Sequence, residues 1–342
     1  MQKAQKMGTA TPNNIPHDLS EDIIDKIIKL KEKYSSMGQD LGAYLDGLIY
    51  SDYVTYWDYI HLDTLLSLQN PKTAIPDEEI FIMYHQITEL YFKLSLHEMR
   101  QLGDKEGLTG KFLATRIKRI NNYFKALTAS FEIMINGMER EQFLQFRMAL
   151  LPASGFQSGQ YRMIEICATD FKNLVDKEFK ADFENTEANE ESIDKMYEKI
   201  YWKKGATELA TGKKTLTLKQ FEKKYSKQFK ELAAEYANKN LWQLYKSLSE
   251  EEKKDQDLID QIRFIDVNVN INWPLVHYKS AARYLQKDPE DIAATGGTNW
   301  QKYLPPRFQK RIFYPELWSN EEKENWGKAW VEEHVFFEKS KS

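Results

Sequence analysis

Apolar positions recur along most of this chain at spacings of three and four residues, as expected of helices with one buried face. Leu19, Ile23, Ile24, Ile27, Ile28 and Leu30 predict an amphipathic helix over residues 18–34. A Tyr-rich stretch follows and ends at Pro71. Residues 77–100 then form the clearest pattern, apolar over more than half the circumference (Phe81, Ile82, Tyr84, Leu90, Tyr91, Phe92, Leu94, Leu96), which predicts a largely buried helix. Residues 108–138 read as another helical stretch closed by Gly137. Residues 141–150 read as one more, stopped by Pro152. A further helix should begin at Trp273, with Asn272 as its cap and Pro274 in its first turn. Between these, from about 170 to 254, Lys and Glu interleave with scattered aromatics, which reads as a pair of solvated helices.

Composition sharpens this picture. The 342 residues include only 15 glycines and 10 prolines, where average usage would supply about 40 of the two together. Few breakers favour long helices, so the expected class is all-α: a helical bundle over 18–342 with a charged helical insertion at 171–260, preceded by a loose polar tail at 1–17. The net charge of −4 offers no basic field for nucleic acid or anionic lipid. The single cysteine, Cys167, leaves no disulfide framework and suits a reducing cytoplasm. The N-terminal residues lack the apolar core of a signal peptide, and no apolar run approaches the ~18 residues of a membrane span. A cytoplasmic protein is the expectation.

Candidate chemistry rests on few residues. The six histidines show no pair at i and i+4 around a carboxylate, and there is no phosphate loop, dinucleotide fingerprint or serine elbow. His85 shares a face with Phe81 on the buried helix, where a core histidine bonded to a backbone carbonyl is the commoner explanation. His277 follows Trp273 by one turn among aromatics. That setting suits a haem ligand, although a lone histidine is weak evidence for one. Arg147 interrupts the apolar run Phe143, Leu144, Phe146, Met148, Leu150. A guanidinium in a core needs an anion, either a protein carboxylate or a ligand's. The TGGT segment at 295–298 could let backbone approach a small anion, or be a surface turn.

Several longer blocks point to one family. YWDYIHLDTLLSLQNP at 56–71, FIMYHQITELYFKLSLHEM at 81–99, FRMALLPASGFQSGQYRMIE at 146–165, WPLVHYKSAARYL, ATGGTNWQKYL and FYPELW appear in one order. Together they resemble the tryptophan 2,3-dioxygenase family. The resemblance implies haem b, ferrous when active, with His277 as the axial iron ligand. It implies L-tryptophan and O2 as substrates, the indole C2–C3 bond as the bond cleaved, and N-formyl-L-kynurenine as the product. His85 would then lie beside the indole NH and Phe81 and Phe143 against the ring. Arg147 would clamp the substrate carboxylate with help from Thr295. Ser154 and Gly155 would pass over the iron, and Arg162 would reach a haem propionate. Tyr56, Tyr59 and Ile60 would complete a neighbouring subunit's pocket within a homotetramer of paired dimers. Two other functions compete: a related haem enzyme that hydroxylates an aromatic amino acid, and a helical scaffold without catalysis. Product analysis separates the first, and haem content the second.

Overall fold

Long helices form where the apolar period is strongest. The computed structural model describes residues 19–208, 211–286, 301 and 304–328. The chain divides into two compact units, 1–68 and 69–342. Among the described residues no strand forms, and two isolated bridges, Val175 with Ile200 and Thr207 with Lys214, are the extended pairings. The all-α expectation holds. No described helix is long and apolar enough to cross a membrane.

The first unit contains α1 (Glu21–Ser36), α2 (Leu41–Ile49), α3 (Tyr56–Tyr59) and α4 (Leu62–Leu65). The Asp40 side chain accepts the N–H groups of Gly42 and Ala43 and so starts α2. None of these four helices buries a single residue. Their apolar faces, Ile23, Ile27, Leu30, Leu48 and Trp57 among them, stand exposed.

The second unit holds the core. Its helices are α5 (Asp77–Gly103), α6 (Gly110–Ser130), α7 (Glu132–Asn136), α8 (Arg140–Phe146), α9 (Gly159–Ala168), α10 (Glu190–Glu198) and α11 (Tyr201–Gly205). They are followed by α12 (Leu216–Glu235), α13 (Leu241–Lys246), α14 (Gln256–Val267) and α15 (Trp273–Leu285). Three acids, Asp77, Glu78 and Glu79, sit in the first turn of α5, where the helix dipole favours negative charge. The Glu78 carboxylate also accepts the N–H groups of Lys72 and Thr73, both at 2.7 Å, which ties the preceding loop to the start of the helix. From there α5 runs down the core against α6, α8 and α9. The stretch expected at 108–138 breaks at Phe131, which caps both α6 and α7.

The charged middle departs from the expectation of solvated helices. Ile193, Met196, Tyr197, Trp202, Phe221, Phe229 and Trp242 from this stretch are all buried in the main core. Most Lys and Glu side chains face outward, although Lys203 is buried, while Phe221, Tyr225 and Phe229 follow one another at i, i+4 and i+8 along α12, the first pair tilted and the second stacked. A fully buried phenylalanine stabilises a fold by roughly 1.5–3 kcal/mol. This aromatic row therefore outweighs the surrounding charge.

The second correction concerns Asn272. It is no cap: its backbone is helical, its side chain makes no capping bond, and helix precedes it. A π-helical segment, Asn268–Asn272, joins α14 to α15 without a break. Pro274 lacks the N–H for an ordinary i→i−4 bond, and a widened turn accommodates such a residue inside a continuous helix. Polar side chains brace the widened turn: Asn268 donates to Asn121 (3.1 Å) and Asn272 donates to Asn268 (3.0 Å).

Asp266, fully buried in the last turn of α14, anchors the chain's later segment. Its carboxylate accepts the N–H groups of Phe313 (2.9 Å) and Tyr314 (3.2 Å), the Trp318 indole N–H (2.9 Å) and Asn270 Nδ2 (2.7 Å). Burial pushes its pKa up to about 6 against the pull of these donors. The FYPELW block is thus folded onto one carboxylate. Removing that carboxylate leaves several buried donors unsatisfied, each at a cost of about 1–3 kcal/mol before relaxation. Asp266→Ala is therefore expected to lower stability by roughly 2–4 kcal/mol in urea unfolding. A change below about 0.5 kcal/mol would show that this anchor contributes little.

Candidate active site

Two imidazoles organise the interior of the second unit. His85 lies one turn after Phe81 on α5, and its Nδ1 is 2.7 Å from the Phe81 carbonyl. His277 lies one turn after Trp273 on α15, with Nδ1 3.2 Å from the Trp273 carbonyl. A carbonyl can only accept, so each Nδ1 carries the proton. Each Nε2 is left with a lone pair turned away from its own helix. Burial lowers both pKa values, that of His277 to about 4, and a proton on His85 would repel one on His277. Both rings nevertheless keep part of their surface accessible. Neutral, desolvated and partly accessible, they sit among aromatic rings of the core.

Aromatic rings stand beside both imidazoles. On the His85 side, Phe81 is 4.1 Å from the imidazole by ring centroids, 5.6 Å from Phe146 and 6.3 Å from Phe143. Phe143 in turn lies 4.6 Å from Tyr284. On the His277 side, Phe131 and Trp273 stand 4.5 and 4.4 Å from the ring. Phe131 had no place among the sequence candidates. Its signal is positional: it is the residue at which α6 stops and α7 starts. Arg147 follows Phe146 directly, at the point where α8 tightens into a 3₁₀ turn. It is only 6% exposed, and burial lowers its pKa without removing its charge. Its NH1 lies 3.6 Å from Met148 Sδ.

The Ser154–Gly155 loop is held from both ends. Ser154 and Gln157 form a reciprocal capping box around the turn Gly155–Gln157. Thr217, at the start of α12, donates to the Pro152 carbonyl at 3.1 Å. A side chain added at Gly155 would meet no atom within 4 Å, so packing does not demand glycine there. Gly159 is different: a Cβ would stand 2.6 Å from the Tyr225 ring, and only glycine lets α9 and α12 approach so closely.

Arg162 is buried in an ion pair with Glu165 at 2.9 Å and bonded to the Tyr201 hydroxyl at 2.5 Å. Tyr56 and Tyr59 belong to the first unit and are 69% and 76% exposed, with Ile60 half-buried. Thr295 falls outside the described residues.

A family model described as tryptophan 2,3-dioxygenase matches residues 47–283, well over half of the chain. The chain belongs to the tryptophan 2,3-dioxygenase family. Among individual relatives, the tryptophan 2,3-dioxygenase of Ruegeria sp. (strain TM1040) is 38% identical over 118 residues, 34% of this chain and 42% of that protein. That of Anaeromyxobacter sp. (strain K) is 40% identical over 122 residues, 35% of this chain and 45% of that one. That of Herpetosiphon aurantiacus is 42% identical over 119 residues, 34% and 45% of the two chains. In these alignments the chain spans less than half the length of the relatives it matches. Family membership extends past both imidazoles, since the matched span includes His85 and His277.

Proposed function

We propose that this chain is a haem-dependent dioxygenase that opens the indole ring of L-tryptophan to N-formyl-L-kynurenine. The observation that carries the reading is the pair of neutral imidazoles, each locked by a carbonyl on Nδ1 and set among aromatic rings, with the buried Arg147 directly following one of those rings, Phe146, in the chain.

The donor set fits haem b. An iron ligand must offer a neutral nitrogen, and a backbone carbonyl on the opposite nitrogen fixes the ring and raises its basicity. His277 has both properties, and the apolar rings of Phe131 and Trp273 beside it suit a porphyrin. When bound in the ferrous state, haem supplies the chemistry that activates O2. The other tasks fall to side chains. Phe81 and Phe143 offer the indole an apolar slot. His85 Nε2 accepts the indole N–H and so sets the ring's orientation. Arg147 binds the carboxylate in a two-point fork, with Thr295 as its partner. Ser154 and Gly155 cover the reacting face, and the open space at Gly155 leaves room there. Arg162 would serve a propionate only by giving up part of its bond to Glu165.

His85→Ala is expected to retain haem and to slow tryptophan turnover by about 2- to 12-fold, the value of one neutral hydrogen bond. The ratio of wild type to variant should shrink with 1-methyltryptophan, which has no N–H to donate. Loss of haem in this variant would mean that the two faces have been exchanged.

The proposal includes assembly as a homotetramer of paired dimers in the cytoplasm. Supporting it, the first unit exposes Tyr50, Tyr53, Tyr56, Trp57 and Tyr59 together, and α5 exposes Met83, Ile87, Leu90 and Leu94 along one stripe. Patches of this kind mark interfaces. In the assembly, Tyr56, Tyr59 and Ile60 of one copy close the indole slot of another. A chain starting near Thr64 should then hold haem yet bind tryptophan poorly. Co-expressed with full-length Arg147→Leu, it should recover activity, because the full-length partner lends its arm to a site whose own Arg147 is intact. Mixed oligomers without recovered activity would place the arm over its own chain's site.

A further inference from the structure

The π turn ahead of α15 leaves a carbonyl that its own helix does not answer. The Trp273 N–H reaches back five residues to the Asn268 carbonyl. In that register the Val269 carbonyl would take the N–H of residue 274. That residue is proline, which has none. Val269 is fully buried, so bulk water does not reach its carbonyl, and an unanswered buried acceptor destabilises a fold.

A side chain from another helix supplies the donor. The Tyr161 hydroxyl, on α9, donates to the Val269 carbonyl at 2.8 Å, although 108 residues separate the two in the chain. Burial pushes the pKa of this phenol up, so its proton stays available. Arg311 NH2 donates to the same hydroxyl oxygen at 3.4 Å. The ring is held too: Phe92 lies 5.5 Å from Tyr161 and 5.7 Å from Trp273 by ring centroids. Tyr161 therefore reaches the start of α15 twice, at the carbonyl four residues before Trp273 and, through Phe92, at the Trp273 ring. Trp273 in turn holds the His277 ring, with its carbonyl 3.2 Å from Nδ1 and its indole 4.4 Å from the imidazole. At its own backbone, Tyr161 donates its N–H to the Ser158 hydroxyl at 3.4 Å, and Ser158 ends the Gly155–Gln157 turn.

We propose that Tyr161 positions the His277 imidazole. Its hydroxyl takes the place of the amide that Pro274 lacks, holds the widened turn in register and so fixes where Trp273 and, one turn later, His277 stand. A residue that merely filled the core would need no donor, and phenylalanine would pack as well. What His277 holds rests on the dioxygenase reading; how it is held does not.

Tyr161→Phe keeps the ring and removes the donor, while Pro274→Ala restores an amide that can turn to the Val269 carbonyl. The full chain is compared as wild type, as each single variant and as the double variant. In urea unfolding, Tyr161→Phe should raise the unfolding constant by a factor about 5-fold or more greater in the Pro274 chain than in the Pro274→Ala chain. The Arg311 contact is lost in both backgrounds and cancels from that ratio. With isotope-labelled histidine, magnetic resonance of the haem-free chain should show wild-type His277 as one Nδ1–H tautomer with a slowly exchanging ring proton. Tyr161→Phe should speed that exchange and mix the tautomers, and adding Pro274→Ala should reverse both. In the haem-loaded ferrous protein, the iron–imidazole vibration should shift in the same pattern. Equal unfolding losses in the two backgrounds would overturn the exchange of hydroxyl for amide. An unchanged ring proton and vibration in Tyr161→Phe would reduce Tyr161 to a structural residue and overturn its positioning role. Failure of the dioxygenase reading registers separately, as wild-type protein without an iron–imidazole vibration, and the ring-proton comparison then still decides the role of Tyr161.

Discussion

His277→Ala is expected to abolish haem binding while leaving the helical fold intact. On the proposed reading the imidazole Nε2 would be the ligand nitrogen, with its orientation set by the Nδ1 bond to Trp273, at 3.2 Å. Altering such an outer partner alone typically changes metal affinity by about 10- to 100-fold. Removal of the ligand itself should exceed that. Far-ultraviolet dichroism should be unchanged, because the side chain is only half-buried and its loss opens a space beside Phe131 and Trp273 without breaking the backbone. Added imidazole should restore part of the haem spectrum by occupying that space. Wild-type haem content and spectrum in His277→Ala would refute the ligand assignment.

The second large effect is expected at Arg147. A buried guanidinium binding a carboxylate contributes about 1.5–3 kcal/mol. Arg147→Leu should therefore reduce kcat/KM for tryptophan by roughly 10- to 150-fold, with haem content unchanged. An indole substrate without the carboxylate should lose far less. Equal losses for both substrates would make Arg147 a structural residue, held by the protein and not by the ligand.

How much of this could be read from the sequence depended on the distance between the parts. The period of α5 is local, and so the position of His85 one turn after Phe81 was legible in residues 77–100 alone. The meeting of His85 with His277 was not. It joins helices 192 residues apart in the chain, and spacing alone gave either histidine a bland explanation; only the family resemblance paired them. Phe131 was hidden for a related reason, since the apolar pattern continues through the point where α6 ends. The charged middle was misread because Lys and Glu dominate its composition. The decisive feature is the fourfold spacing of Phe221, Tyr225 and Phe229, which becomes visible only when the aromatics are counted apart from the charges. The π turn before α15 follows from Pro274, but a proline near a helix start is equally compatible with an ordinary first turn. The sequence therefore suggested a cap at Asn272 where the chain has continuous helix.

The central claim is that a site built on His85 and His277 turns tryptophan over with O2. The most direct measurement is an anaerobic titration of the haem-loaded, reduced protein with L-tryptophan, followed by admission of O2 and product analysis. The account predicts a saturable spectral change on tryptophan addition and then N-formyl-L-kynurenine as the product. Tryptophan recovered unchanged from protein that had bound it, or a hydroxylated aromatic amino acid formed only with peroxide, would contradict it.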